Sequence, residues 1–302
     1  MITGIIPVAP TAFHDNEELD LDGQRRIVDF LVDAQADAIC ILANYSEQFS
    51  LTDSERVQVM TATLEHAAGR VPVMVTTSHY SARVASERSR EAESLGASLV
   101  MLMPPFFGAT MAVDETRVLE FFSRVGDGIS IPIMIQDAPL SSTPLSVSLL
   151  DAISREVPLV QYAKVETPRA ADKIRALKER SATTMTGIFD GEEGITLIPD
   201  LHAGAQGTMS SCVAPDQLGM IVRQFLAGQI EAASRSWEAL LPLIHFENRQ
   251  CGLAAAKALM MEGGILSSDR TRAPFAELAA HTRHQLLELA RERDPLVLRW
   301  AT

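Results

Sequence analysis

Lysine is scarce in this chain of 302 residues: only Lys164, Lys173, Lys178 and Lys257, although lysine and arginine together number 26. A lysine placed where burial is expected therefore demands a reason. Cysteine is nearly as rare. Cys40, Cys212 and Cys251 show neither a C-x-x-C spacing nor a paired framework, which excludes a disulfide scaffold and points to a reducing compartment with free thiols. There is no H-E-x-x-H and the histidines are scattered, so no metal is expected. No apolar run approaches the roughly 18 residues of a membrane span. The opening MITGIIPVAPTAF carries no basic n-region, so no secretory signal is expected and the cytoplasm is the default location. Basic charge is in deficit too: a net charge of −13 argues against nucleic acid or an anionic membrane as partner.

What is present is a repeated order. Short apolar runs at 5–10, 38–43, 71–77, 99–104, 132–137, 159–166, 183–190 and 204–211 alternate with amphipathic segments. Several are almost continuously apolar, as strands covered on both faces of a parallel sheet must be. The intervening segments carry helix signals, including a T-x-x-E capping box at Thr52 and Glu55 and a closing glycine at Gly96. Eight β-α units predict an α/β fold, a (β/α)8 TIM barrel over 1–217 followed by a C-terminal helical annex over 218–302. A doubly wound sheet is the alternative, but no G-x-G-x-x-G follows the first strand.

In a (β/α)8 barrel chemistry sits at the carboxyl ends of the strands. The polar residues there are Asn44, Tyr45, Ser46 and Glu47; Ser78, His79 and Tyr80; Gln136 and Asp137; Lys164 and Glu166; Asp190, Glu192 and Glu193; Thr208 and Ser210. The run LVQYAKVE reads as a buried strand with a lysine in it. Alternation puts Tyr162, Lys164 and Glu166 on one face. A desolvated lysine can attack a carbonyl and form a Schiff base; a structural ion pair with Glu166 fits the pattern equally.

The chain resembles the dihydrodipicolinate synthase/N-acetylneuraminate lyase superfamily of Schiff-base barrels over essentially its whole length. GIIPVAPTAF is similar to that family's G-x-x-x-P-x-x-T-x-F start, ANYSEQFSLTDSER occupies the place of its G-[ST]-T-G-E…L-x-x-x-E-R signature, QYAKVE matches the sixth-strand lysine motif, and LHAGAQGTMSS the eighth-strand glycine motif. The resemblance implies that Lys164 is the Schiff-base nucleophile, that no cofactor is needed, and that the protein is a homo-oligomer, a tetramer.

The departures from that pattern narrow the activity. Asn44, Tyr45 and Ser46 replace the Thr/Ser, Thr and Gly of the signature. The paired tyrosines after strand four read Phe106-Phe107, and Gln136 stands for the strand-five tyrosine, so both hydroxyls of the family's proton relay are missing. The arginine that a dihydrodipicolinate synthase places after strand five is also absent. ILANYSEQFSLTDSER, VTTSHYS, PPFFGAT, IMIQDAP, FDGEEGITL, HFENRQCG and DPLVLRW together resemble one dehydratase branch of the superfamily. That branch implies conversion of L-2-keto-3-deoxyarabonate, a 2-keto-3-deoxy sugar acid, to 2-oxoglutarate semialdehyde and water.

A class I aldolase releasing pyruvate and an aldehyde, or a non-catalytic barrel that binds a keto acid, are the alternatives. The expected catalytic set is Lys164, Glu166, His79 and Gln136, the last as orienter only, with Tyr45 and Asp190 as further acid/base candidates. Ser46, with the backbone amides around Tyr45 and Ser46, is the expected carboxylate dock. Asn44, Tyr45, Ser46, Asp190, Glu192, Glu193 and Thr208 make up the expected substrate-binding set. Glu192 and Glu193 serve equally as an acidic start to the following helix. HFENRQ, 245–250, reads as too polar for a helix interior and faces either the site mouth or a subunit contact.

Overall fold

A computed structural model describes residues 1–106 and 113–301. Phe107 and the rest of the GAT stretch, 107–112, lie outside the described residues. The elements run in chain order as β1 (Gly4–Ile5), α1 (Leu21–Asp33), β2 (Ile39–Ile41), α2 (Asp53–Ala67), β3 (Val73–Thr76), α3 (Ala82–Ser94), β4 (Leu99–Leu102), α4 (Glu115–Gly126), β5 (Ile133–Asp137), α5 (Val147–Glu156), β6 (Val160–Val165), α6 (Ala170–Ser181), β7 (Gly187–Asp190), α7 (Leu197–Ala203) and β8 (Gly207–Thr208). Then come α8 (Pro215–Leu226), α9 (Ile230–Phe246), α10 (Ala254–Glu262) and α11 (Ala280–Arg293). Two compact units form, one from 1–3, 74–192 and 196–208, the other from 4–73, 193–195 and 209–302.

In the first unit β3 to β7 pair parallel in sequence order, and β8 joins β7 through the register Asp190↔Thr208. Val75, Val100, Met134, Ile135 and Ala163 are fully buried, which explains why these strands are apolar on both faces. Between β5 and β6 the register slips, Ile133 pairing with Val160 but Met134 with Tyr162, so Gln161 is an extra residue. This bulge fixes the phase of β6: beyond it Lys164 stands opposite Gln136, and Val165 opposite Asp190 on the far side. Gly187 leaves room for the neighbouring ring, since a Cβ there would lie 2.3 Å from Tyr162 Cδ1.

In the second unit α1 starts on Asp20, whose carboxylate accepts the Gly23 N–H at 2.7 Å. The capping box at α2 is formed: Thr52 Oγ1 accepts from Glu55 N at 3.2 Å while Thr52 N donates to Glu55 Oε2 at 2.9 Å. The first strand is shorter than the expected 5–10, because Pro7 and Pro10 bring no N–H; pairing resumes only as the bridge Val8↔Cys40.

The run at 204–211 also contracts to Gly207–Thr208, since Gly204, at φ +108°, caps α7 instead. Helix α8 begins at Pro215 and crosses the expected boundary at 217/218. HFENRQ is helical after all. Residues 247–251 continue α9 as a π turn, with Glu247 buried in it.

Candidate active site

Lys164 is buried, and its Nζ lies 3.0 Å from Glu166 Oε1. The same oxygen accepts from Gln136 Nε2 at 2.7 Å. Gln136 is brought there by strand register, opposite Lys164 on β5; Glu166 sits one residue past β6, its N–H donating to Asp137 O at 3.1 Å. The amide thus fixes which carboxylate oxygen meets the ammonium. Gln136 Oε1 is buried with no hydrogen-bond donor, a cost of about 1–3 kcal/mol that apolar packing alone does not explain. Gly191 closes the wall. A Cβ there would stand 2.4 Å from Glu166 Cγ and 2.9 Å from Lys164 Cγ, so only glycine lets the β7 turn lie against both side chains.

Asp190 and Thr208 join this cluster from β7 and β8. Both are fully buried, and Thr208 Oγ1 donates to Asp190 Oδ2 at 2.5 Å. Asp190 also interacts electrostatically with Lys164 and with Asp200 of α7. Burial raises the Asp190 carboxyl above the ordinary range, with Thr208, Asp200, the Glu192 amide and Lys164 opposing it. Glu192 is half-buried beside this pair. Lys173 is otherwise engaged: its Nζ pairs with the buried Asp137 at 2.5 Å and donates to Leu145 O.

His79 lies in the turn between β3 and α3. It is solvent-exposed, and its Nδ1 accepts the Ser81 N–H at 3.0 Å, holding the turn that opens α3.

The second unit holds the residues expected at the dock. Asn44 and Tyr45 are half-buried in a 3-10 turn, Asn44 Oδ1 accepting from Gln48 Nε2 at 2.7 Å. Ser46 is a correction. Its hydroxyl donates to Ala9 O at 2.6 Å and its N–H to Ala43 O at 3.0 Å, so both donors are spent holding the turn against the chain at Ala9. Glu193, at φ +52°, accepts from Asn248 Nδ2 at 2.7 Å, which accounts for the polar π turn. Arg249 of the same turn is exposed.

The arrangement sequence reasoning missed is a second buried lysine. Lys257 is fully enclosed; its Nζ is paired with Glu47 Oε1, donates to Arg270 O at 2.8 Å and lies 4.4 Å above the Phe13 ring. Glu47 Oε2 takes the Arg272 N–H at 2.8 Å, and the Arg272 guanidinium grips Glu55. Glu47, held at φ +58°, is thereby pinned under its own turn. The signal was in AAAKALMM: a lone lysine in an alanine-rich helix. Among the described residues, no cluster of three or more His, Cys, Asp or Glu side chains is placed to hold a metal ion, and no helix is long and apolar enough to cross a membrane.

The family model for the dihydrodipicolinate synthetase family matches residues 1–293. The chain belongs to that family. Within it, the chain is 53% identical over 298 residues to the L-2-keto-3-deoxyarabonate dehydratase of Azospirillum brasilense, covering 99% of this chain and 96% of the relative. Identity falls to 27% against 4-hydroxy-tetrahydrodipicolinate synthase 1 of Halalkalibacterium halodurans, with 95% of each chain covered. The crystal structure of dihydrodipicolinate synthase from Aquifex aeolicus superimposes with a TM-score of 0.90 at 23% identity, covering 97% of this chain and 98% of that one. The fold is the family's (β/α)8 barrel, strands alternating with helices, with further helices at the C-terminus.

Proposed function

We propose that this protein is a Schiff-base dehydratase that converts L-2-keto-3-deoxyarabonate to 2-oxoglutarate semialdehyde and water. The observation that carries this reading is the Lys164–Glu166–Gln136 triplet, with an amide where the synthases of the family have a tyrosine. The 53% identity to a dehydratase over nearly the full chain supports the same reaction.

Lys164 attacks the C2 ketone, and loss of water gives an iminium. The iminium acidifies C3. Glu166, 3.0 Å from Nζ, takes the proton from the carbinolamine stage and from C3, which is bonded to the carbon that Nζ attacks. The resulting enamine expels the C4 hydroxyl as water. Loss of a C5 proton then gives an enol at C4–C5, which becomes the aldehyde as protons return to C3 and C4, and hydrolysis frees the lysine. Retro-aldol cleavage would need a base on the C4 oxygen. Gln136 cannot be that base, because a neutral amide has no accessible proton-transfer pKa near neutrality.

With the Ser46 donors spent, Asn44 and Tyr45 are the members of the turn with solvent access, and their assignment to the substrate rests on their place in the family signature. Glu192 and Glu193 are assigned to sugar hydroxyls on the same kind of ground. The family resemblance supports a homotetramer and a cytoplasmic location. The reaction is tested by incubating the protein with L-2-keto-3-deoxyarabonate. Product must couple to a semialdehyde dehydrogenase and give negligible pyruvate with lactate dehydrogenase; stoichiometric pyruvate and glycolaldehyde would make the protein an aldolase.

A further inference from the structure

Behind Lys164 lies a pair of carboxyl groups that the reaction above does not use. Asp190, at the end of β7, and Asp200, in α7, are both fully buried. Each has one oxygen provided for: Asp190 Oδ2 accepts from Thr208 at 2.5 Å, and Asp200 Oδ2 accepts from Thr196 Oγ1 at 2.7 Å. Each has its other oxygen, Oδ1, buried without a donor. The two carboxyl groups also act directly on each other. Carboxylates only accept, so two ionised groups would leave both buried Oδ1 atoms without a donor. A single proton held between them supplies the missing donor.

We infer that Asp190 and Asp200 hold one proton between them across neutral pH, and that Asp200 is a positioning residue whose loss of that proton shuts the site down at alkaline pH. The inference rests on Lys164 being the nucleophile. With the proton in place, the pair carries one negative charge, and Lys164 keeps Glu166 as its close partner. The charged groups facing the pair are Lys164 from β6 and Glu192 from the turn after β7. Burial, then the Asp190 charge, push the Asp200 carboxyl up to about 8, with Thr196 opposing them. Above that pH the pair becomes a dianion. The second charge holds Lys164 as ammonium, which cannot attack a ketone, and repels a keto-acid substrate that is itself an anion.

The test is the pH profile of kcat/KM for wild type, Asp200→Asn and Thr196→Val, with borohydride trapping on each. Asparagine donates an N–H to Asp190 without a titratable proton. Asp200→Asn should keep kcat/KM at neutral pH within about tenfold of wild type and lose the alkaline limb that wild type shows near pH 8. Thr196→Val removes a donor to the ionised Asp200, so its limb should move to higher pH. This second variant decides the matter if the first fails to fold.

An Asp200→Asn limb unmoved from wild type, or a Thr196→Val limb unmoved, overturns the inference. Trapping separates the two claims. Adduct on Lys164 in wild type with an unmoved limb defeats only the carboxyl pair, whereas absence of adduct on Lys164 in wild type defeats the Schiff-base reading itself.

Discussion

Lys164 and Lys257 are both buried lysines beside a glutamate, and the contrast between them separates a reactive lysine from a structural one. Lys257 is fully enclosed, with a carboxylate, a backbone carbonyl and an aromatic face around its ammonium. Burial pushes it below the ordinary lysine range while Glu47 pulls it back. Lys164 meets a glutamate that keeps 14% of its side-chain surface, and that glutamate is steered by Gln136. Burial and a carboxylate partner are common to both. What differs is access: one cluster is closed around its charge, the other lies along a strand end with an unfilled acceptor on Gln136. A depressed lysine is therefore a poor guide to the nucleophile by itself.

The comparison breaks most visibly if the wrong lysine is removed. Lys164→Ala should lower turnover by at least about five orders of magnitude, roughly 7 kcal/mol of barrier, with little change in melting temperature. Lys257→Met should do the reverse. It strands the Glu47 carboxylate and should destabilise the fold by about 3–5 kcal/mol, measured by urea unfolding, while borohydride still labels Lys164.

Gly191→Ala comes next. The added Cβ meets Glu166 Cγ at 2.4 Å, and a displacement on that scale costs roughly a hundredfold in kcat/KM. Gln136→Leu frees Glu166 from its orienting donor and should lower kcat by roughly tenfold, the value of one hydrogen bond to a charged group.

The smallest effect is expected at Arg272, at the edge of the Lys257 cluster. Arg272 holds the Glu55 carboxyl at about 2, against an opposing push from burial. A depressed carboxylate stabilises the fold at pH above its unfolded value of 4.5 and loses that contribution as pH falls through about 2. Arg272→Met should therefore raise the midpoint of acid unfolding, followed by circular dichroism, and leave stability at pH 7 less affected than Lys257→Met does.

Alternation of apolar runs and amphipathic segments made the β-α order legible, and the capping box at Thr52 and Glu55 marked α2 because that signal is local. Strand ends were less legible. The proline spacing in IIPVAP interrupts a ladder, and Gly204 caps a helix where the run suggested a strand. Lys164 and Glu166 were read as neighbours because two residues along a strand share a face, and Gln136 came from its place in the family pattern; strand register brings it to the same carboxylate. Asp200 and Lys257 were not, since their partners lie 10 and 210 residues away in the chain and no local period links them. Ser46 departed from expectation for a related reason: position after a strand says nothing of which donors have already been taken.

The most direct test of the central claim is mass spectrometry of the borohydride-reduced protein incubated with L-2-keto-3-deoxyarabonate. The account predicts a five-carbon adduct confined to the peptide bearing Lys164 and absent from Lys164→Ala. A three-carbon adduct derived from pyruvate, or label on Lys173 or Lys257, would contradict it.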